Sequence, residues 1–288
     1  IGRASSELAN RDLPRASLLL ESCQRDLRGW EWNYLWGRLR SAGDVLPVFS
    51  FGGPSRGIAL SPNGERIAAW HPSLRPYVRW YELSIWDVAT GSERVVIREP
   101  GESISPVAWG PKGDKLALGG RTIRIWDLAT GSIVTTISGY SDPITSLAFS
   151  PDGKRILSGS WDGRVVVWDA ATGKEVLTLS DRTGFVTSVA YSPTGEHILA
   201  VSTQHLNVWS TSGEPFAKLA QSLPGPIGSA TWSPDGRRIA CRTREGVGIY
   251  DVATGEALRV FAATTMITSE VAFDPKGWRV GWGDWNGS

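Results

Sequence analysis

The stretch from residue 151 to residue 173, PDGKRILSGSWDGRVVVWDAATG, contains the pattern that decides the fold. It begins with a proline-x-glycine turn and continues through two short apolar segments that a Trp-Asp-Gly turn separates. Pro151 presets a turn conformation, Asp152 offers a carboxylate to the nearby backbone, and Gly153 accepts a positive φ. Such turn residues on either side of short β-branched segments predict antiparallel hairpins.

The same pattern recurs about every 41 residues along the chain. Proline-x-glycine turns begin at positions 62, 111, 151, 193, 234 and 275, with spacings of 49, 40, 42, 41 and 41 residues. In the third unit, the predicted strands are Ile144–Phe149, Arg155–Ser158, Val165–Trp168 and Glu175–Leu179. Four strands in a period near 41 residues are typical of one blade of a β-propeller, in which each sheet buries its faces against its neighbours.

Two further positions keep the same period. Dipeptides of the Trp-Asp type are Trp86-Asp87, Trp126-Asp127, Trp168-Asp169, Trp209-Ser210 and Tyr250-Asp251. The aromatic residues before the turns are Trp109, Phe149, Tyr191, Trp232 and Phe273. We expect these large rings to fill the space between neighbouring sheets.

The repeat resembles that of WD-repeat (WD40) β-propellers from about Val45 to the C-terminus. The resemblance rests on the six turns and the five Trp-Asp-like dipeptides, although the usual Gly-His dipeptide of the family is replaced, for example by Gly139-Tyr140. It implies an all-β, WD40-type propeller over residues 44–288, with about six repeats and an incomplete last blade. The complete array is expected to have six, seven or more blades.

The resemblance also implies structural roles for particular side chains. Blades of the family often contain a buried network of His, Ser or Thr, Trp and Asp, and here the third unit retains most of it, in Ser158, Asp162 and Trp168. The structural positions implied are Trp86, Asp87, Trp126, Asp127, Ser158, Asp162, Trp168, Asp169, Trp209, Tyr250 and Asp251. The other blades are expected to depend mainly on apolar packing.

Residues 1–43 lack the repeat, and their spaced leucines predict amphipathic helices. Within them, residues 16–35 resemble the helical linker that joins bacterial membrane-anchored serine/threonine kinases to C-terminal WD-repeat propellers. The chain contains no glycine-rich nucleotide loop, His-Arg-Asp or Asp-Phe-Gly motif, so any kinase domain and membrane anchor are expected upstream of Ile1. Because the chain begins without methionine, we expect it to be a piece of a longer bacterial polypeptide.

Composition disfavours several classes of function. The formal net charge of +1 provides no field for nucleic acid or anionic membranes. No apolar run approaches the roughly 18 residues of a membrane span, so localisation stays open between the cytoplasm and a tether to a membrane through an upstream span. The three histidines share no metal-ligand spacing, and the two cysteines form no CxxC motif. We expect no metal, no cofactor and no catalytic residue.

The first unit contains an insertion. Pro62 and Trp86 are 24 positions apart, against 15 to 17 for the same interval in later units, and the excess falls in residues 71–82. Arginines and aromatic side chains there are suited to clamp a carboxylate or phosphate and to stack on a planar group. The candidates are Arg75, Tyr77, Arg79 and Trp80. The alternative is a tolerated surface loop.

A second candidate surface is an aromatic rim on the face where this insertion opens. Trp161 and Trp285 occupy corresponding turns, and Tyr140 and Phe185 lie in connections on the same face. Exposed aromatic anchors favour protein interfaces, but these side chains are equally suited to pack between blades.

These patterns favour a non-enzymatic protein-protein interaction scaffold that forms the regulatory or sensor part of a larger protein such as a serine/threonine kinase. One alternative is a propeller hydrolase or small-molecule binder in which carboxylates meet in the central funnel. Its candidate carboxylates are Asp142, Asp162, Asp181 and Glu245. Another alternative is a structural element of a larger assembly, with self-association through the helical segment.

Overall fold

The structure is a computed structural model that describes residues 57–72, 80–100, 106–179, 184–203, 205–215, 227–243, 246–262, 271–274 and 276–282. The regular elements in these ranges are 21 β-strands. The chain divides into two compact units, the first ending at Ser103 and the second beginning at Ile104. The predicted helical segment, residues 1–43, lies outside the described residues.

The first unit contains one four-stranded antiparallel sheet, blade 1, whose strands pair in chain order. The strands are β1 (Gly57–Leu60), β2 (Arg66–Pro72), β3 (Trp80–Asp87) and β4 (Glu93–Pro100). His71 pairs with Glu82 and Pro72 pairs with Tyr81, so both ends of the predicted insertion extend the β2–β3 hairpin.

The second unit repeats this sheet, again with sequential antiparallel strands. Blade 2 has β5 (Val107–Trp109), β6 (Lys115–Gly119), β7 (Ile123–Asp127) and β8 (Ser132–Ile137). Blade 3 has β9 (Ile144–Phe149), β10 (Arg155–Ser160), β11 (Val165–Asp169) and β12 (Glu175–Leu179). The four strands predicted in this unit are confirmed, with β10 and β11 extending one or two residues further.

The remaining sheets continue the pattern. Blade 4 has β13 (Val186–Tyr191), β14 (His197–Ser202) and β15 (Leu206–Ser210). Blade 5 has β16 (Ile227–Trp232), β17 (Arg238–Thr243), β18 (Gly246–Asp251) and β19 (Ala257–Ala262). In blade 6, β20 (Ala272–Phe273) pairs with β21 (Val280–Gly281).

The proline-x-glycine turns are closed by side chains. In blade 3, Ser150 Oγ donates to Asp152 Oδ1 over 2.6 Å and accepts the backbone N–H of Arg155 over 2.9 Å. Gly153 has a φ of 72°, a value that glycine adopts without strain. The hydrogen bond from Ser150 is the main reason that the pKa of Asp152 is lowered. The predicted chemistry of this turn is confirmed.

The aspartates of the Trp-Asp dipeptides close a second turn in blades 2 and 3. Oδ1 of Asp127 accepts the backbone N–H of Thr130 over 2.9 Å, and Asp169 accepts that of Thr172 over 2.8 Å. These backbone hydrogen bonds are the largest cause of the lowered pKa of both aspartates. Their carboxylates are therefore used to hold the Ala-Thr-Gly turns.

Two of the aromatic residues before the proline-x-glycine turns, Trp232 and Phe273, pack against a neighbouring sheet. The His197 ring of blade 4 lies 6.1 Å from the ring of Trp232 in blade 5. The Arg238 guanidinium of blade 5 lies 5.8 Å from the centre of the Phe273 ring in blade 6. In each pair, the first residue of a second strand contacts the aromatic residue of the next blade, which confirms the predicted packing for these two rings.

Candidate functional site

Each blade of the second unit has two distinct ends. The proline-x-glycine and Ala-Thr-Gly turns share one end, since the first and third strands both finish there. The turn between the second and third strands and the connection to the next blade lie at the opposite end. We call this opposite end the Trp161 face, because Trp161 lies in its blade 3 turn.

Two exposed aromatic side chains meet on the Trp161 face. Trp161 is 57% exposed in the β10–β11 turn, and Phe185 is 58% exposed immediately before β13. Their ring centroids are 6.3 Å apart and the ring planes are inclined by 51°. The structure thus brings together two of the four residues of the predicted aromatic rim.

The backbone on both sides of this pair is fixed by hydrogen bonds. The N–H of Trp161 donates to the carbonyl of Pro143 over 3.2 Å, and the N–H of Thr203 donates to the carbonyl of Phe185 over 3.1 Å. The hydroxyl of Ser160 also donates to the carbonyl of Asp142 over 3.2 Å. Both rings therefore project from turns that are tied to neighbouring segments.

Tyr140, the third residue of the predicted rim, is half-buried against blade 3. Its ring centroid lies 5.8 Å from that of Trp168, and its hydroxyl lies 2.6 Å from Ser158 Oγ. Trp168 donates its Nε1–H to the same oxygen over 2.7 Å. Burial raises the pKa of Tyr140 to about 12. The hydroxyl of Tyr140 is therefore used inside the blade, at the position where the WD-repeat dipeptide has histidine.

Arg164 connects this network to the surface turn. Its guanidinium forms an ion pair with Asp162 over 2.8 Å, donates to the carbonyl of Gly139 over 2.8 Å, and lies 4.8 Å from the centre of the Tyr140 ring. Arg164 was not predicted from the sequence. Its place two residues after Asp162, in a turn that faces Gly139-Tyr140, is the signal that could have identified it.

Ser158, the centre of this network, has no serine counterpart at the same position of blades 1, 2, 4 and 5. The residues seven positions after the turn proline, where blade 3 has Ser158, are Ala69, Leu118, Ala200 and Cys241. In blade 2, the Nε1 of Trp126 is buried and has no hydrogen-bond partner. In blade 5, burial raises the pKa of the Cys241 thiol to about 12.

The third-strand aromatic residues singled out by the sequence lie in the sheets. Trp86, Trp168 and Tyr250 are buried, whereas Trp126 and Trp209 are half-buried. The structural role of Trp168 is supported by its hydrogen bond to Ser158 and its contact with Tyr140. For the other four residues, a structural role stays a prediction.

Several candidate residues are not described by the structure. Arg75, Tyr77, Arg79 and Trp285 lie outside the described residues, and only the backbone of Trp80 is described, as the first residue of β3. Asp181 and Glu245 of the funnel hypothesis also lie outside them. Asp142 and Asp162 do come together, since Ser141 Oγ lies 3.4 Å from a carboxylate oxygen of each.

The most exposed large apolar side chain described was not predicted. Trp278, in the β20–β21 turn at the end opposite the Trp161 face, is 81% exposed, and Lys276 Nζ lies 5.6 Å from the centre of its ring. Blades 1 to 5 have a charged residue at this position, directly after the turn glycine. That contrast is a sequence signal that could have identified it.

The described ranges contain neither a metal-ligand cluster nor a membrane-spanning helix. In this part of the chain, no three His, Cys, Asp or Glu residues are grouped so as to hold a metal ion. Across the same residues, there is no helix with the length and hydropathy needed to cross a membrane.

The family model described as "WD domain, G-beta repeat" matches residues 131–169 and 173–210. The match supports a WD40-repeat family. The two matched segments include Tyr140, Trp161 and Phe185. Together with the repeated small antiparallel sheets, the match supports an all-β, WD40-type β-propeller fold for the described residues. A comparison with curated proteins finds no match to this chain.

Proposed function

We propose that this chain is a protein-interaction platform whose Trp161 face binds a protein or peptide partner. WD40 repeats generally mediate protein-protein interaction, and the family match covers the turns that carry the aromatic pair. The observation that supports this face is the contact between Trp161 and Phe185, both more than half exposed. Aromatic side chains of this kind are enriched among residues that dominate binding energy.

The geometry of the turns favours binding without a large loss of conformational entropy. The hydrogen bonds at Pro143 and Thr203 hold the backbone beside each ring. A surface that is already ordered loses less conformational entropy when a partner docks. The platform is therefore expected to bind without a change in backbone conformation.

Selection from a library of short random peptides tests this proposal on the whole chain. We expect wild type and Trp278→Ala to enrich the same peptides, and the double variant Trp161→Ala/Phe185→Ala to lose them. Trp278→Ala is the matched control because it removes an exposed tryptophan from the opposite end. Binding constants of the enriched peptides and urea unfolding of each variant separate lost binding from lost folding. No enrichment by wild type, or equal binding by the double variant, would reject the Trp161 face as the docking site.

The insertion in blade 1 remains a second predicted contact region. Its proposed residues are Arg75, Tyr77, Arg79 and Trp80, with an anionic or planar group on the partner. If the insertion docks a partner, replacing Arg75, Arg79 and Trp80 with alanine should reduce partner binding with little change in the unfolding midpoint. Unchanged binding would remove these residues from the proposal.

We also propose that the chain is the regulatory or sensor part of a larger bacterial serine/threonine kinase. The support is the resemblance of residues 16–35 to the linker of such kinases, together with the proposed division into a helical segment, 1–43, and a propeller, 44–288. The complete reading frame tests this directly. A kinase catalytic domain and an apolar span upstream are expected, and a start codon just before Ile1 would contradict the proposal.

A further inference from the structure

We infer that the partner segment bound by the Trp161 face carries an arginine or lysine side chain that stacks on Trp161 and Phe185 beside Asp142. This inference rests on the proposed platform function and specifies the chemistry of its partner. It follows from three features of the same surface. These are the geometry of the Trp161 and Phe185 rings, the negative charge of Asp142, and the contacts within blade 3 that already occupy Arg164.

The two rings are accessible to a side chain from outside. Their centroids are 6.3 Å apart at an inclination of 51°, and more than half of each side chain is exposed. Aromatic faces carry negative electrostatic potential, so a guanidinium or ammonium group above a ring is attracted to it. The planar guanidinium also stacks on an aromatic face, which favours arginine over lysine.

An exposed carboxylate, that of Asp142, belongs to the segment hydrogen-bonded to the Trp161 turn. The carbonyl of exposed Asp142 accepts the hydroxyl of Ser160, the residue before Trp161. The carboxylate of Asp142 has a hydrogen bond from Ser141 over 3.4 Å, and among the described residues no basic side chain forms an ion pair with it. A cation on a partner would meet this charge next to the Trp161 turn.

The basic side chain of blade 3 in this region is already used internally. Arg164 is paired with Asp162, donates to the carbonyl of Gly139 and stacks on Tyr140. Among the described residues, one ion pair, from Arg164 to Asp162, therefore serves the two carboxylates within reach of the Ser141 hydroxyl. An acidic partner segment would meet repulsion from Asp142, and a purely apolar segment would leave its charge without a complement.

The enriched peptides from the library provide the first test. We expect an arginine or lysine at a fixed position among them. Each enriched peptide is then compared with versions that carry citrulline or glutamate at that position. Citrulline keeps the shape of arginine without its charge, so we expect about tenfold weaker binding, with glutamate weaker still.

Variants of the chain provide the second test. Asp142→Asn should weaken binding of the arginine peptide by about two- to fivefold at low salt, with a smaller effect at high salt. Glu196→Gln is the matched control, because it removes one exposed negative charge at the opposite end of blade 4 and should not change affinity. Its result shows whether net charge alone explains the effect.

The outcomes distinguish this inference from the platform proposal. If Trp161→Ala/Phe185→Ala abolishes binding but the enriched peptides lack a common basic residue, the platform stands and the basic-partner inference fails. Equal binding of the arginine and citrulline peptides, or equal effects of Asp142→Asn and Glu196→Gln, would also reject the inference. If the double variant binds normally, the platform proposal itself fails.

Discussion

The indole N–H of Trp168 and the hydroxyl of Tyr140 meet at one buried oxygen, Oγ of Ser158, at 2.7 and 2.6 Å. The Ser158 hydroxyl in turn donates to the carbonyl of Val166 over 3.2 Å. One small hydroxyl therefore has three polar partners in the interior of blade 3. A buried polar group that loses its hydrogen-bond partner is desolvated without compensation, which destabilises the folded state. The stability of blade 3 is consequently sensitive to this oxygen.

Replacement of Ser158 with alanine should destabilise the protein by about 1–3 kcal/mol, because Trp168 and Tyr140 both lose a partner. Urea unfolding followed by tryptophan fluorescence measures the change. Ser138→Ala, at an exposed position before Gly139, is the control and should stay within about 0.5 kcal/mol of wild type. Equal unfolding midpoints for the two variants would show that the network contributes nothing.

Trp168→Phe should cost about 1–2 kcal/mol more than Trp126→Phe. Both substitutions shrink an indole at the same blade position, and the buried Trp168 also loses more packing than the half-buried Trp126. Trp168 loses a hydrogen bond to Ser158, whereas Trp126 has a buried Nε1 with no hydrogen-bond partner to lose. The free energy of unfolding of each variant in urea gives the comparison. A larger loss for Trp126→Phe would contradict the assigned network.

The fold could be predicted from the sequence because its signals are local. In the turn Ser150–Arg155, serine, proline, aspartate and glycine act together, with hydrogen bonds within five residues, so this segment specifies its own hairpin. The alternation between these turns and short apolar segments then fixes the strands. The same local chemistry explains why the bounds of β9 and β12 were predicted to the residue.

The arrangement of the candidate site could be predicted only in part. Trp161 and Phe185 were expected on one face, but their contact joins blades 3 and 4 and depends on how adjacent sheets pack. Tyr140 was also assigned to the rim, whereas its hydroxyl reaches inward to Ser158. The stacking of Arg164 on Tyr140 brings together residues from two different connections, which no pattern within a single turn specifies.

Two tyrosines should respond oppositely to loss of the hydroxyl. Tyr140→Phe should destabilise the protein by about 1 kcal/mol, since the hydroxyl is bonded to Ser158. Tyr191→Phe should be neutral or stabilising, because the buried Tyr191 hydroxyl has no hydrogen-bond partner and its position is phenylalanine in blades 3 and 6. Thermal and urea unfolding of both variants provide the measurement. Destabilisation by Tyr191→Phe equal to that of Tyr140→Phe would reject this distinction.

The free energy of unfolding should fall as the pH rises from about 10 to about 12. Burial raises the pKa of Tyr140 and of Tyr191 from 10.0 to about 12, so the folded state holds these protons more tightly than the unfolded state. Their contribution is fully present below pH 10 and is lost as the pH rises through the folded pKa. Each tyrosine contributes a slope of about 1.4 kcal/mol per pH unit in this window.

Urea unfolding at a series of alkaline pH values measures that slope in wild type and in Tyr191→Phe. The variant should show a shallower slope by about 1.4 kcal/mol per pH unit, because one of the two tyrosines is absent. The buried thiol of Cys241, whose pKa is raised from 9.0 to about 12, adds a parallel loss in both proteins and cancels in the comparison. Identical slopes would show that Tyr191 ionises as freely in the folded state as in the unfolded state.

Gly159→Ala should destabilise the contact between blades 3 and 4. Gly159 lies in β10, and an added Cβ would overlap the side chains of Val186 and Val189 at the start of the next blade. The two valines are buried, so they have little room to move, and the expected cost is about 1–3 kcal/mol. Gly281→Ala is the control, because no atom lies within 4 Å of its added Cβ. Hydrogen exchange should show faster exchange in β10 and β13 of Gly159→Ala, whereas unchanged exchange there with a lower unfolding midpoint would place the damage elsewhere in the fold.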